Sequence, residues 1–391
     1  MTARPLKFPG QLNAQRFLDV HWQKKPLRIT DAIAVELPAL SADELGWLAT
    51  LDDVESRLVF TERHEDTVTY RVEHGPFASA ELEELPRQDW TLLVQDVDKH
   101  LPDFRAYFEL TDFVPDWRID DLMVSFAAPG GSVGPHRDHY DVFLVQGSGS
   151  RNWSLAEPGT VSSAAVPQAL SLLEEFVDPA PVLAGPGDIL YLPPGFPHWG
   201  IAETQCITYS IGMRAPTLAE FTDHLEDAGG HDSDANTEIF YQDPELSTLE
   251  ALPGLISGQA ILRMRTTLGA DSDLTDEQIA IAFGSIVTAP KAWLAPDTLS
   301  RESARGALSS VEPEGEWVLH GMSHLAYYES TGTINIFANG SSKAADRAIS
   351  ELIQDLCKQR MIAGSALHCA LDDRRKKEVI LWLCEQGIFD L

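Results

Sequence analysis

The sequence predicts an α+β fold in which an antiparallel strand core, closed like a barrel, is flanked by helical segments. Three observations carry this expectation. From Trp90 to about Arg214, short apolar runs are separated by Gly- and Pro-rich turns, the pattern of strands rather than helices. Helix signals lie on either side: Ser41 with Glu44 makes a capping box before Leu45-Gly46-Trp47-Leu48, and Thr275 with Gln278 makes another before Ile279-Ala280-Ile281-Ala282-Phe283. The hydrophobic content, 44% of 391 residues, is ample for a buried core, and such a length divides into about two or three domains.

Taken in order, residues 1–89 mix helical signals with short strand-like stretches. Residues 90–215 form the strand core, with one helical insert expected near Gln168 to Phe176. Pro216 opens a helical region, residues 216–295. It begins with a helix from Leu218 to Ala228, continues through the polar loop Gly229-Gly230-His231-Asp232-Ser233-Asp234, and then resumes helical periodicity. In residues 296–391, Leu325-Ala326-Tyr327-Tyr328-Glu329-Ser330 and Thr333-Ile334-Asn335-Ile336-Phe337 flank Thr331-Gly332, which reads as a hairpin. Helices are expected from Ala345 to Lys358 and from Lys376 to Glu385, the last stopped by Gly387. No internal repeat or low-complexity tract is present.

The formal charge of −31 argues against direct nucleic-acid binding, which demands Lys/Arg surfaces. It suits a basic protein partner, because opposite potentials steer association. No apolar run approaches the ~18 residues of a membrane span. Met1-Thr2-Ala3-Arg4-Pro5-Leu6-Lys7 lacks the apolar segment of a signal peptide. Cys206, Cys357, Cys369 and Cys384 are scattered, as reduced thiols would be, so a cytoplasmic location is expected.

The densest chemical signal is Gly130-Gly131-Ser132-Val133-Gly134-Pro135-His136-Arg137-Asp138, answered by Gly187-Asp188-Ile189-Leu190-Tyr191-Leu192-Pro193-Pro194-Gly195-Phe196-Pro197-His198. If the first segment is a strand, His136 and Asp138 share a face. With His198 brought in after the Pro/Gly turn, two imidazoles and one carboxylate make the facial triad of non-haem Fe(II) oxygenases. A lone His-x-Asp is a common accident, and a His after a turn is by default a surface group. His139 and Asp141 repeat the spacing in the opposite register; the Gly/Pro lead-in favours His136 and Asp138, leaving His139 and Asp141 exposed or supporting. Gly147-Ser148-Gly149-Ser150 is followed by no Gly-Lys-Ser/Thr and reads as a hairpin turn, not a phosphate loop.

These segments resemble the metal-binding motifs of the Jumonji-C (cupin) 2-oxoglutarate oxygenases, most closely the bacterial ribosomal oxygenases that hydroxylate an arginine of a large-subunit ribosomal protein. Trp22-Gln23-Lys24-Lys25-Pro26-Leu27, Trp90-Thr91-Leu92-Leu93-Val94-Gln95, Asp121-Leu122-Met123-Val124-Ser125-Phe126 and Tyr140-Asp141-Val142-Phe143-Leu144-Val145-Gln146-Gly147 carry the same resemblance, strongest between about Trp90 and Pro216. It implies a double-stranded β-helix (jelly-roll) core, a helical homodimerisation region and a C-terminal winged-helix domain. It also implies Fe(II), with 2-oxoglutarate and O2 as cosubstrates that yield succinate and CO2.

On this resemblance Arg151 anchors the distal carboxylate of 2-oxoglutarate, where a planar guanidinium gives a bidentate fork, and Ser125 and Thr208 line the same pocket. Asp121, Met123 and Tyr140 shape the pocket for the target side chain. Read without the resemblance, Arg151 is a solvated turn residue and Asp121 one of several surface acids beside Asp116 and Asp120. No catalytic acid or base is expected beyond the iron ligands. The rival expectations are a hydroxylase with a His or Asn target, and an inactive cupin-fold adaptor.

Overall fold

The structure is a computed structural model that describes residues 5–65, 67–159, 162–163, 172–174, 176, 180–227, 239–268 and 273–391. It divides into two compact units. The first comprises the chain up to Asp112, Ile119–Met213 and Pro244–Leu246; the second comprises Phe113–Arg118, Arg214–Asp243 and Ser247–Leu391.

The first unit contains β1 (Leu27–Ile29), β2 (Ser56–Arg63), β3 (Val68–His74), β4 (Trp90–Val94), β5 (Ile119–Ala127), β6 (Val142–Ser148), β7 (Arg151–Leu155), β8 (Ser162–Ser163), β9 (Leu173–Glu174), β10 (Val182–Ala184), β11 (Ile189–Leu192), β12 (His198–Ala202) and β13 (Cys206–Met213). Eight of these form one antiparallel sheet in the order β1-β11-β6-β13-β5-β4-β2-β3, and three form a second, β10-β7-β12. Between the sheets Val142, Leu144, Trp153, Ala184, Leu190 and Leu192 pack into one apolar cluster. β13, in the middle of the large sheet, is buried along its whole length. Helices α1 (Ala14–Val20), α2 (Ala42–Leu48), α3 (Ser79–Glu83) and α4 (Val97–His100) belong to the same unit. The capping box at α2 forms as expected: Ser41 N–H donates to Glu44 Oε2 at 2.8 Å and Glu44 N–H to Ser41 Oγ at 3.2 Å.

An aromatic cluster fixes the N-terminal segment onto the core. Phe17 meets Tyr191 edge-on at 4.9 Å and Trp22 stacks on Tyr191 at 5.9 Å, with Phe143 beside both. Each such buried ring contributes about 1.5–3 kcal/mol by leaving water. The cluster also reaches the site, because the Tyr191 hydroxyl donates to Asp141 at 2.5 Å and accepts from the Gln23 N–H at 2.7 Å.

Two expectations are corrected here. Gly147-Ser148-Gly149-Ser150 is not a hairpin: β6 pairs with β11 and β13, whereas β7 pairs with β10 and β12, so the turn carries the chain from one sheet to the other. Gly149 makes that crossing possible at φ +60°, where an added Cβ would lie 1.9 Å from the Gln205 carbonyl oxygen. The expected helical insert near Gln168 to Phe176 lies mostly outside the described residues, and Leu173–Glu174 is strand paired with Ser162–Ser163.

In the second unit, α5 (Leu218–Asp227), α6 (Gly258–Leu268) and α7 (Asp276–Thr288) surround a core of Trp117, Phe221, Tyr241 and Phe283. The loop expected at Gly229 to Asp234 lies outside the described residues. The buried face of α7 is used within the chain: Gly284 sits against Phe337, whose ring an added Cβ would meet at 2.4 Å. The fully buried Arg118 and Asp243 pair at 3.3 Å. A second core gathers α8 (Arg301–Ser309), β14 (Glu316–Val318), β15 (Leu325–Glu329), β16 (Thr333–Ala338), β17 (Ser341–Asp346), α9 (Ser350–Gln359), β18 (Met361–Ala363), α10 (Gly364–Leu371) and α11 (Arg374–Glu385). The expected hairpin is β15–β16. The helix expected from Ala345 begins only at Ser350, because Ser341 to Asp346 alternate in exposure and pair along β16. No helix among the described residues is long and apolar enough to cross a membrane.

Candidate active site

His136, Asp138 and His198 converge, with one ligand atom from each lying within 4.8 Å of the others. Asp138 stands 3.9 Å from His136 Nε2 and 3.6 Å from His198 Nε2. The reason differs from simple strand alternation. Residues 128–141 form a loop in which His136 makes an isolated bridge to His198, donating N–H to its carbonyl at 3.0 Å and accepting from its N–H at 2.9 Å. Gly195 N–H holds the Asp138 carbonyl at 2.6 Å, so the Pro193–Pro197 turn clasps the loop from the other side. Gly134 adopts φ +82°, and an added Cβ there would lie 2.5 Å from Leu172 and 2.9 Å from Tyr70.

Both imidazoles are oriented alike. His136 Nδ1 lies 2.9 Å from the Gly134 carbonyl and His198 Nδ1 lies 3.0 Å from the Phe196 carbonyl. A carbonyl only accepts, so each Nδ1 carries the proton and each Nε2 lone pair faces the centre, as a metal ligand requires. Burial, with the nearby His136, pushes His198 down to about 4, against the pull of Asp138 and the Phe196 carbonyl. It is therefore neutral at physiological pH.

The triad opens into a cavity of about 310 Å³. Strand alternation supplies its walls: Asp121, Met123 and Ser125 from β5, Thr208, Ser210 and Gly212 from β13, and Arg151 and Trp153 from β7. Ser125 and Thr208 are direct register partners and both are buried. Thr208 Oγ1 donates to Gln146 Oε1 at 3.3 Å. Arg151 is only 5% exposed, and its Nε and Nη2 have no hydrogen-bond partner among the described residues. Its guanidinium carbon lies 5.6 Å from the Trp153 ring. A buried guanidinium with orphaned donors is costly unless an anion meets it, and a carboxylate beside the triad has the shape and charge to do so.

Asp121 is a buried cavity residue rather than a surface acid, 6% exposed, with Oδ2 accepting the Asp96 N–H at 3.2 Å. Tyr140 reaches the same end from the loop, its ring 3.9 Å from where a Gly212 Cβ would stand. The charge of Asp138, then burial, then Asp121 and Asp120 raise its hydroxyl pKa, so it stays protonated. His139 is exposed. Asp141 is buried and accepts hydrogen bonds from Tyr191 and from Gln23 Nε2 at 2.9 Å, tying the loop to the aromatic cluster.

A JmjC-domain family model matches residues 107–221, the stretch that contains the whole triad and Arg151. Over that stretch the chain is similar to JmjC domains. It is 39% identical over 247 residues to the ribosomal protein uL16 3-hydroxylase of Escherichia coli, covering 62% of each chain. It is 34% identical over 263 residues to the probable ribosomal oxygenase of Haemophilus influenzae, covering 66% of this chain and 64% of that one. These alignments thus span somewhat less than two thirds of the curated relatives. Among solved structures, E. coli YcfD matches with a TM-score of 0.72 at 29% identity over 97% of this chain and 98% of that one. The YcfD ribosomal oxygenase in complex with cobalt and 2-oxoglutarate matches with a TM-score of 0.69 over the same shares.

Sequence reading missed several cavity residues: Arg57 and Val59 from β2, Thr91 and Leu93 from β4, Gln95, Ser210 and Gly212. The signal available for Ser210 and Gly212 was their alternation with Thr208. Nothing local marked Arg57, whose strand lies far from the metal motif in sequence.

Proposed function

We propose that the chain is an Fe(II)- and 2-oxoglutarate-dependent protein hydroxylase that acts on carbon 3 of an arginine side chain in a large-subunit ribosomal protein. One observation carries this reading: the three ligand atoms and the orphaned donors of buried Arg151 face one cavity. His136, Asp138 and His198 would hold the iron, and Arg151 with Ser125 and Thr208 would hold 2-oxoglutarate. When bound, the iron with 2-oxoglutarate supplies the oxidising power that converts O2 to a hydroxyl on an unactivated carbon, with succinate and CO2 released.

The chain's own residues orient and select. The Nδ1–H bonds fix both imidazoles with Nε2 inward. Asp121 supplies a buried carboxylate for a guanidinium, Met123 lines its apolar stem, and Tyr140 closes the pocket over it. The charge of −31 suits a basic ribosomal protein, and the relatives named as a uL16 hydroxylase and a ribosomal oxygenase support the same substrate. The reading includes a cytoplasmic location, a C-terminal winged helix built on β15–β17, and a homodimer formed through residues 216–295. Exposed Leu249, Leu252 and Leu262, at 84, 53 and 51%, favour that last element.

The test is incubation of the full chain with Fe(II), 2-oxoglutarate and uL16, followed by mass spectrometry of the digest. A one-oxygen gain on an arginine is expected. The same gain on His or Asn would replace the target, and the absence of Fe(II)-dependent succinate release would favour an inactive adaptor.

A further inference from the structure

We propose that Arg57 and Gln95 clamp the main chain of the peptide substrate beside its target residue. This rests on the peptide-hydroxylase reading and adds a recognition surface to it. Both side chains line the cavity that holds Asp121, Met123 and Tyr140. Arg57 lies on β2 and Gln95 just past the end of the adjacent β4: Arg57 is the register partner of Leu93, and Gln95 follows Leu93 by two residues, with its N–H bonded to the Glu55 carbonyl at 2.9 Å. Such diagonal neighbours stand about 7–8 Å apart, which two long side chains bridge with one ligand group between them. The next N–H along, that of Asp96, is the one that holds Asp121 Oδ2, so this wall ends at the carboxylate proposed to take the target side chain.

Neither group has a structural task that explains it. The Arg57 guanidinium makes no hydrogen bond or ion pair among the described residues, although its charge reaches the Tyr140 hydroxyl. The Gln95 amide is likewise unbonded, and its Oε1 is buried without a partner. Leaving the buried Gln95 Oε1 unsatisfied is unfavourable, and the half-buried Arg57 guanidinium beside it is free to donate, so the pair points to a ligand that completes it.

The chemistry selects that ligand. A guanidinium only donates, whereas a carboxamide both donates and accepts. At this wall a cationic substrate group would be repelled by Arg57, and an anionic one by the neighbouring Asp121. A peptide group is neutral and offers one acceptor and one donor. Its carbonyl would accept from Arg57 and its N–H would donate to Gln95.

The experiment uses the full chain loaded with Fe(II) and 2-oxoglutarate, a uL16 peptide containing the target residue, and two versions of that peptide in which an ester replaces the amide on one side of the target or the other. Arg57→Met is expected to raise KM for the amide peptide about 10- to 100-fold, the effect of losing a charge-assisted hydrogen bond. Its kcat should move far less, because the contact is made equally before and during reaction. For wild type, one of the two esters should raise KM about fivefold, the effect of losing a neutral hydrogen bond. Gln95→Leu should abolish that difference. Arg57→Lys, which keeps the charge and loses the fork, should fall between wild type and Arg57→Met; if it matches wild type, Arg57 only balances the cavity's acids. The 2-oxoglutarate dissociation constant measured with Mn(II) should not move in any variant. Unchanged peptide KM in Arg57→Met, or an ester penalty that survives in Gln95→Leu, overturns the clamp. Should Arg57→Met fail to fold, the Gln95→Leu ester comparison decides alone. If wild type hydroxylates no peptide or protein, the hydroxylase reading falls and the clamp with it; if wild type is active and the variants match it, only the clamp falls.

Discussion

Arg151→Met separates a cosubstrate anchor from a structural residue, because the two roles predict opposite changes. Arg151 is 5% exposed, and two of its donor nitrogens have no hydrogen-bond partner among the described residues. Its visible compensation is the Trp153 ring at 5.6 Å, an interaction of about 0.5–2 kcal/mol. Against that stands the desolvation of an unpaired charge, which costs several kcal/mol in real interiors. Methionine of similar length removes both, so without ligand the variant should gain stability, or at most lose about 1 kcal/mol. With 2-oxoglutarate the balance reverses. Two charge-assisted hydrogen bonds are worth about 1.5–3 kcal/mol each, so their loss should weaken binding at least about a hundredfold. At a concentration one hundred times the wild-type Kd, 2-oxoglutarate stabilises wild type by about 2.7 kcal/mol, and a site weakened a hundredfold gains only about 0.4 kcal/mol. Thermal and urea unfolding with Mn(II), with and without 2-oxoglutarate, measure both quantities. A variant that is several kcal/mol less stable alone, yet keeps the full ligand-induced gain, would show that Arg151 serves the fold.

Three further outcomes are expected. Asp121→Ala should abolish hydroxylation of an arginine peptide while calorimetry still shows metal and 2-oxoglutarate binding; unchanged turnover would remove Asp121 from the substrate role. Gly149→Ala places a Cβ 1.9 Å from the Gln205 carbonyl at φ +60°, and should lower stability to urea by more than about 2 kcal/mol. Burial pushes Glu250 up, but hydrogen bonds from Arg263 at 2.7 and 2.8 Å and from Ser257 outweigh it and leave the carboxyl below its ordinary value. That stabilisation is present above the unfolded pKa of about 4.3 and is lost as pH falls through the lower folded value. Glu250→Gln should therefore cost about 1–3 kcal/mol at neutral pH, and much less in acid; an equal cost at both pH values would contradict the ion-pair account.

The parts of this molecule that could be read in advance are those set by local chemistry. A Ser-x-x-Glu box starts α2 wherever the chain goes next, and Gly387 ends α11 with φ +68°. The triad residues were legible as residue types at a spacing, yet the reason they meet was not. His136 and Asp138 do not lie on a strand; a two-residue bridge to His198 and the Gly195 N–H draw them together, and both depend on partners some sixty residues away. The same limit explains the Gly147–Ser150 turn. Its composition fits a hairpin as well as a crossing between sheets, and only the pairing of β7 with β10 and β12 decides. At Ala345 the helical pattern of Ser350–Gln359 was extended too far upstream, because Ala344 and Ala345 favour helix until β16 offers them a ladder.

Arg57 and Gln95 mark where local reading stops. Alternation says that Thr91 and Leu93 share one face of β4, with Gln95 next along just past its end, but whether that face meets solvent, core or a cavity is a property of the sheet order β5-β4-β2. An arginine on a strand is exposed far more often than not. Only when β2 is placed beside β4, and β4 beside the strand that carries Asp121, does an ordinary surface cation become a donor aimed at a buried carboxylate's neighbourhood with no acid assigned to it. A cavity that sets the Arg57 guanidinium beside the Asp121 carboxylate is not simply tuned to attract positive charge. On the proposed reading it would discriminate within a basic substrate, drawing one side chain toward Asp121 while Arg57 disfavours a second cation alongside it.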